Sequence, residues 1–301
     1  HYYNHIKQRY FIMSYKKFYV VFSMMLAGCG HHIKPTDWYS VSVEKTLGIS
    51  GIAAVDSENL LVIHDNKKIN EPRLSQIIWS QGTAPILKKL NWCNEQKLPI
   101  DLEAIAAIPS HDSEFLVLES RGQVTRIQFH HSHCDVISQF MLPNTTSQSN
   151  IESLALLHLS AHTILVWAER GDDQQPAKMW WGEYDSQNNH ITLSSLHAID
   201  FFTPYPTENR RSISDIAINK DGTLWVSAVS DPGDDGVFQS ALYTLGRFID
   251  GNAGIYWKPY SDLSSQAQYD NVKIEGLTFI ENTLIMGSDD ENLGAKIAHF
   301  K

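Results

Sequence analysis

A formal net charge of −10 on a chain of 301 residues argues against a nucleic-acid binder, since such proteins present basic patches. Beyond a short N-terminal apolar run, no stretch reaches the roughly 20 apolar residues that a membrane-spanning helix needs. The portion after that run, about 270 residues, is a size at which β-barrels and propellers are often single domains.

Residues 1–12 precede the first methionine, Met13, and are read as upstream sequence outside the fold. From Met13 the pattern is that of a signal peptide over 13–28. Lys16 and Lys17 supply its positive start, and residues 18–26 form a short apolar core. It ends in Leu26-Ala27-Gly28-Cys29, which resembles the lipobox of bacterial lipoproteins. That resemblance implies cleavage before Cys29 and lipidation of its sulfur, with two or three acyl chains giving stable anchoring where one would be marginal. Residues 29–36 are then an anchor and tether, and 37–301 an exported domain. Gly30 stands where an Asp would retain a lipoprotein at the inner membrane, so the expected address is the periplasmic face of the outer membrane. Cys93 and Cys134 remain; an oxidising compartment permits a bridge between them, and their spacing leaves the pairing open.

Residues 38–44 read as one strand ahead of a fivefold repeat. Its members are Ile49-Ser50-Gly51-Ile52-Ala53, Leu102-Glu103-Ala104-Ile105-Ala106, Ile151-Glu152-Ser153-Leu154-Ala155, Ile213-Ser214-Asp215-Ile216-Ala217 and Ile274-Glu275-Gly276-Leu277-Thr278. The second position recurs at intervals of 53, 49, 62 and 61 residues. Such intervals suit four-stranded blades with variable loops. Each member leads through a turn, Asp221-Gly222 being the strongest hairpin signal, into a second apolar strand: 60–63, 115–118, 164–167, 224–226 and 284–286. Third and fourth strands follow in the second repeat at 124–129 and 136–141. The last repeat reaches only a third strand, 296–300. Pairing the surplus strand 38–44 with it would complete a fifth blade and remove two exposed edges. The expected fold is therefore an all-β propeller of five blades closed by its N-terminal strand. The two long intervals keep six blades open.

Neighbouring strands of a blade run antiparallel, so first-strand starts and second-strand ends share one face of the ring. That face should collect Glu103, Glu152 and Glu275, with Ser50 and Ser214 in the matching positions. Asp65, Glu119, Glu169, Asp231 and Asp289 come from the second strands. Two like charges about 4 Å apart cost near 4 kcal/mol at an effective dielectric of 20. A hard cation relieves this, and Ca²⁺ suits an all-oxygen site. Protonation of one or two carboxyls also would, as would ion pairs with Arg121, Arg170, Arg210 and Arg211 on the same side. A fourth reading has the acidic position simply accepting backbone N–H bonds between blades. His130, His131, His133 and Cys134 are read as a His-rich turn rather than a transition-metal site, and Trp180-Trp181 as packing between blades.

The repeat resembles propeller families marked by Glu-Gly-Ile/Leu-Ala segments: the phytase-like and esterase-like propellers and the SdiA-regulated group. Asp101-Leu102-Glu103-Ala104-Ile105-Ala106 and Lys273-Ile274-Glu275-Gly276-Leu277 carry the likeness best. The pattern departs at Ala104, Ser153 and Asp215, which replace Gly, and at Ser50 and Ser214, which replace Glu. The resemblance implies Glu103, Glu152 and Glu275 as metal ligands. With Glu119, Glu169, Asp231 and Asp289 they form the expected Ca²⁺ set, and the four arginines would hold a small anionic ligand. The chemistry expected of such a site is metal-assisted hydrolysis of an ester or phosphoester. The competing expectation is a non-catalytic scaffold that docks another envelope protein.

Overall fold

The structure, a computed structural model, describes residues 36–80, 82–251 and 254–300. The expected signal peptide and Cys29 lie outside the described residues. Strand β1 (Tyr39–Ser42) precedes five sheets. Blade 1 is β2 (Gly51–Ala54), β3 (Asn59–Ile63), β4 (Leu74–Ile78) and β5 (Ile86–Leu90). Blade 2 is β6 (Leu102–Ala107), β7 (Glu114–Glu119), β8 (Gln123–His130) and β9 (His133–Met141). Blade 3 comprises β10 (Ile151–Leu159), β11 (His162–Glu169), β12 (Ala177–Asp185), β13 (His190–Ile191) and β14 (His197–Phe201). Blade 4 comprises β15 (Arg210–Ile218), β16 (Thr223–Ser230), β17 (Gln239–Gly251), β18 (Gly254–Pro259) and β19 (Ala267–Asp270). Blade 5 is β20 (Ile274–Ile280), β21 (Thr283–Ser288) and β22 (Ala295–His299), completed by β1.

All paired strands are antiparallel, and the five inner strands β2, β6, β10, β15 and β20 contact one another in ring order. Closure falls where the surplus strand predicts it: Tyr39 stands opposite Ile297 and Ser40 opposite Lys296. The long intervals are spent at the rim. Two outer strands, β13 and β14, both pair with β12, while β18 and β19 both pair with the long β17. Extra residues thus widen blades 3 and 4 without adding a sixth.

Each blade has two apolar faces, so each seam between blades is its own core. Trp167 and Trp180 lie in the seam of blades 2 and 3, Trp181 in that of blades 3 and 4. The adjacent tryptophans point to opposite faces because successive strand residues alternate. The seam of blades 1 and 2 is built from Leu61, Ile105, Phe115 and Ile127. It is also crossed by a disulfide from Cys93, just after β5, to Cys134 in β9, with Cα atoms 4.6 Å apart.

Candidate functional site at the channel mouth

In four of the five repeats the register shifts within the first strand. Leu102 faces Glu119 and Ala104 faces Leu118, so Glu103 is an extra residue with no partner of its own. Glu152 and Glu275 occupy the same place in β10 and β20, and the shift in β15 spans Ser214. A β-bulge of this kind re-aims the extra side chain. The bulge turns Glu103, Glu152 and Glu275 out of the blade face and into the channel mouth, whereas Ser214 is buried and does not line it. The fourth residue of each repeat, namely Ile52, Ile105, Leu154, Ile216 and Leu277, then lines the channel further along with apolar surface.

The mouth is a depression of about 210 Å³ lined by polar groups alone. Six carboxyl groups and four cations line it, an excess of two acidic groups that sets its chemistry. On the side of blades 3 to 5 the charges are paired. Arg211 Nη1 lies 3.2 Å from Glu275 and 3.9 Å from Glu152, and its Nη2 bonds Asp231. Lys273 Nζ lies 3.3 Å from Glu275 and 2.5 Å from Glu291. Arg170 Nη1 lies 3.2 Å from Glu152, which also accepts a bond from Asn150. Burial alone would discharge Lys273 and Arg211. The surrounding carboxylates (Glu275 and Asp289 for the lysine, Glu152 and Glu275 for the arginine) reverse this and hold both above their ordinary pKa. Asp231 is desolvated too, yet Arg211 and Lys273 bring its pKa below the usual range.

The side of blades 1 and 2 differs. Asp65, Asp101 and Glu103 share one cation, Lys67, which pairs with Asp101 at 2.9 Å. Glu103 has no hydrogen bond or ion pair among the described residues. Burial, then Glu152, Asp101, Asp65 and Glu275, push its carboxyl well above the ordinary value. Asp65 is raised for the same first reason, burial, with Glu291 adding to it.

The sequence-derived residues divide accordingly. Glu103, Glu152, Glu275, Asp231, Arg170 and Arg211 come together at the mouth. Glu119 and Glu169 do not line it. Glu119 stands opposite Leu102 and Glu169 opposite Ile151, both of which face seams, and cross-strand partners share a face. Glu119 instead accepts the Ile100 N–H at 3.1 Å. Asp289 is buried behind the mouth against Gly48, where any Cβ would overlap its carboxylate, and burial raises it to about 7. His64 holds that glycine: its Nδ1 donates to the Gly48 carbonyl at 2.6 Å and its Nε2 accepts from Ser75 at 2.8 Å. Arg121 donates to the Ser147 and Ser149 carbonyls, outside the cavity. Arg210, one residue from Arg211, points the opposite way and stacks on Phe202 with 4.7 Å to the ring centroid.

Lys273, Asp101, Asn150 and Lys67 were not singled out from the sequence. The first three share a signal: each lies two residues before the repeat's glutamate, a spacing that keeps side chains on one side of an extended chain. The interblade backbone bond is also present, though made by another repeat position. The Asp215 carboxylate accepts the Leu277 N–H at 2.6 Å, joining β15 to β20.

The molecule is thus an all-β, five-bladed propeller with a charged funnel at one end of its central channel. Its sequence places it within a family: the chain belongs to the phytase-like family described as "Esterase-like activity of phytase", whose model matches residues 45–292. No curated protein sequence matches it significantly. Among solved structures it is similar in fold to one described as "a GH43_12 retrieved from capybara gut metagenome", with a TM-score of 0.54 and 10% identity over 88% of this chain and 53% of that one. A second, described as "Glycoside hydrolase", gives a TM-score of 0.53 and 7% identity over 87% of this chain and 61% of that one. The chain therefore spans a little over half the length of these two structures.

Proposed function

We propose that the mouth binds a small anionic ester together with a hard divalent cation, and that the protein hydrolyses ester or phosphoester bonds at the envelope surface, tethered through Cys29. Membership of a phytase-like, esterase-like family supports the reaction class. The observation that carries the site is Glu103, a mouth carboxyl with no hydrogen-bond or ion-pair partner among the described residues, in a cavity lined by two more carboxyl groups than cations.

The donor set fits a cation of the Ca²⁺ or Mg²⁺ kind, because every free donor on that side is a carboxylate oxygen. It is not a closed cage. Among the described residues only a cluster on the blade 2 hairpin brings three His, Cys, Asp or Glu donor atoms within 4.8 Å of one another. A cation at the mouth would rest on one or two carboxylates, with water and the substrate's own oxygens completing its shell. When bound, it would polarise the ester and acidify a water. Arg170, held by one contact and the most exposed of the three paired cations, is placed to meet the anionic group. Arg211 and Lys273 offset the carboxylates of that side. Glu103, whose proton affinity is raised, would exchange a proton with the attacking water or the leaving oxygen.

Calorimetric titration of the metal-stripped protein with Ca²⁺ and with Mg²⁺, beside a Glu103→Gln/Glu275→Gln variant, tests the site. Hydrolysis of p-nitrophenyl acetate and p-nitrophenyl phosphate tests the chemistry. The reading requires binding that the variant loses and metal-dependent turnover that falls about 10²-fold or more in Glu103→Gln. Turnover that survives chelation but falls in Glu103→Gln would instead make Glu103 a metal-free general acid. Absence of both binding and turnover would leave the propeller as a docking scaffold.

A further inference from the structure

The hairpin joining β8 to β9 lies away from the mouth and brings together three metal-ligating side chains. His130 and His133 are partners across the two-residue turn His131-Ser132. Their rings stack, with centroids 5.0 Å apart and planes inclined by 27°. Asp135 lies two residues beyond His133 on the same face of the strand, and its Oδ2 is 3.2 Å from His130 Nε2. One donor atom from each of the three lies within 4.8 Å of the others. Cys134, between two of them, points to the opposite face, where its bond to Cys93 anchors the strand. The backbone beneath the trio is therefore held by the hairpin ladder and by a covalent link to blade 1.

We propose that His130, His133 and Asp135 form a surface site for a transition-metal dication of the imidazole-binding class, with Zn²⁺ as its representative. Two imidazoles and one carboxylate make a nitrogen–oxygen donor set that favours Zn²⁺ or Cu²⁺ over Ca²⁺ or Mg²⁺. Tetrahedral zinc, with Zn–N bonds near 2.0–2.1 Å, needs donors about 3.3 Å apart. The His130–Asp135 pair is already at that spacing, and the remaining closure asks only for rotation of side chains on a surface turn. Three protein ligands leave one position for water or an incoming group. The site is independent of the mouth, whose free donors are carboxylates.

The test is calorimetric titration of the whole chain, freed of metal, with Zn²⁺ in excess Ca²⁺. One ion per chain should bind through this hairpin, with affinity at least tenfold weaker in His133→Gln and in Asp135→Asn and unchanged in His131→Gln. Sub-stoichiometric Cu²⁺ should broaden the ring proton signals of His130 and His133 before those of the other histidines. Since all three side chains are exposed on the hairpin, the metal-free variants should melt with the wild type. No zinc binding, or binding indifferent to both His133→Gln and Asp135→Asn, overturns the assignment.

Discussion

Glu152 and Glu275 occupy the same repeat position as Glu103, yet they have ion-pair partners at the mouth where Glu103 has none among the described residues. On the side of blades 3 to 5, Arg170, Arg211 and Lys273 thread between the carboxylates. Across from them, Glu103 and Asp65 have no ion-pair partner among the described residues, and the blades are joined instead by the Cys93–Cys134 link. Burying a charge is expensive unless it is paired. Ion pairs offset that cost on the side of blades 3 to 5, and the other side holds carboxyl groups that a ligand can use. A repeat can supply one geometry five times while the residues beside it decide what each copy does.

Removing Lys273 should have the largest effect on this contrast. The side chain is 2% exposed and touches Glu275, Glu291 and Asp231, so Lys273→Met strands several buried carboxylates. The expected loss is about 3–5 kcal/mol in urea denaturation. A loss below about 1 kcal/mol would mean that those acids are already protonated and the two sides are alike. Next comes the covalent link on the other side. Cys93→Ala/Cys134→Ala opens a loop with a sequence separation of 41 and should cost about 2–4 kcal/mol. Mass spectrometry without reductant checks that the bond is present first.

The pH dependence separates Glu103 from Asp231 by sign, while Glu275, which burial raises to about 8 despite Lys273 and Arg211, goes with Glu103. The Glu103 pKa is raised in the folded protein, so between the ordinary carboxylate pKa and the raised value the native state binds the extra proton. Stability from this group is thus greatest at acid pH and is lost as pH rises through that window. Asp231 is lowered, so its contribution is present above the ordinary value and is lost as pH falls through the depressed one. The difference between wild type and Glu103→Gln isolates the first effect from His64, which burial holds neutral by lowering it to about 4. Chemical denaturation should find Glu103→Gln more stable than wild type at pH 8, with the gap closing towards pH 4. A gap that widens on acidification would overturn the unpaired state of Glu103. The smallest effect is expected at Lys67, whose side chain is 63% exposed. Lys67→Met should change stability by less than about 1 kcal/mol, while Ca²⁺ affinity at the mouth rises a few-fold, read by the same titration.

Much of the fold was legible in the sequence because a propeller repeats its instructions. The five apolar-polar-small-apolar segments became the five inner strands, and the unpaired strand ahead of them became β1 on β22. The count of blades was less legible, since an interval of 62 residues does not tell a wide blade from an additional one. Ladder partners decided it, with β12 and β17 each taking two outer strands. The site was legible as a face and not as a set of side chains. Counting along antiparallel strands placed Glu119 and Glu169 on the correct end of their strands, but their cross-strand partners Leu102 and Ile151 turn them towards the seams.

What the sequence determined by itself is local: alternation, turn chemistry and the recurring glutamate follow from neighbours along the chain. Only the tertiary structure decided which glutamates meet a cation. Lys273, Arg211 and Arg170 come from blades 5, 4 and 3 and reach Glu275, Glu152 and Asp231 partly across blade boundaries, at separations no periodicity encodes. Ion pairing depends on distance through space in a desolvated funnel, and ring closure brings these residues within bonding distance.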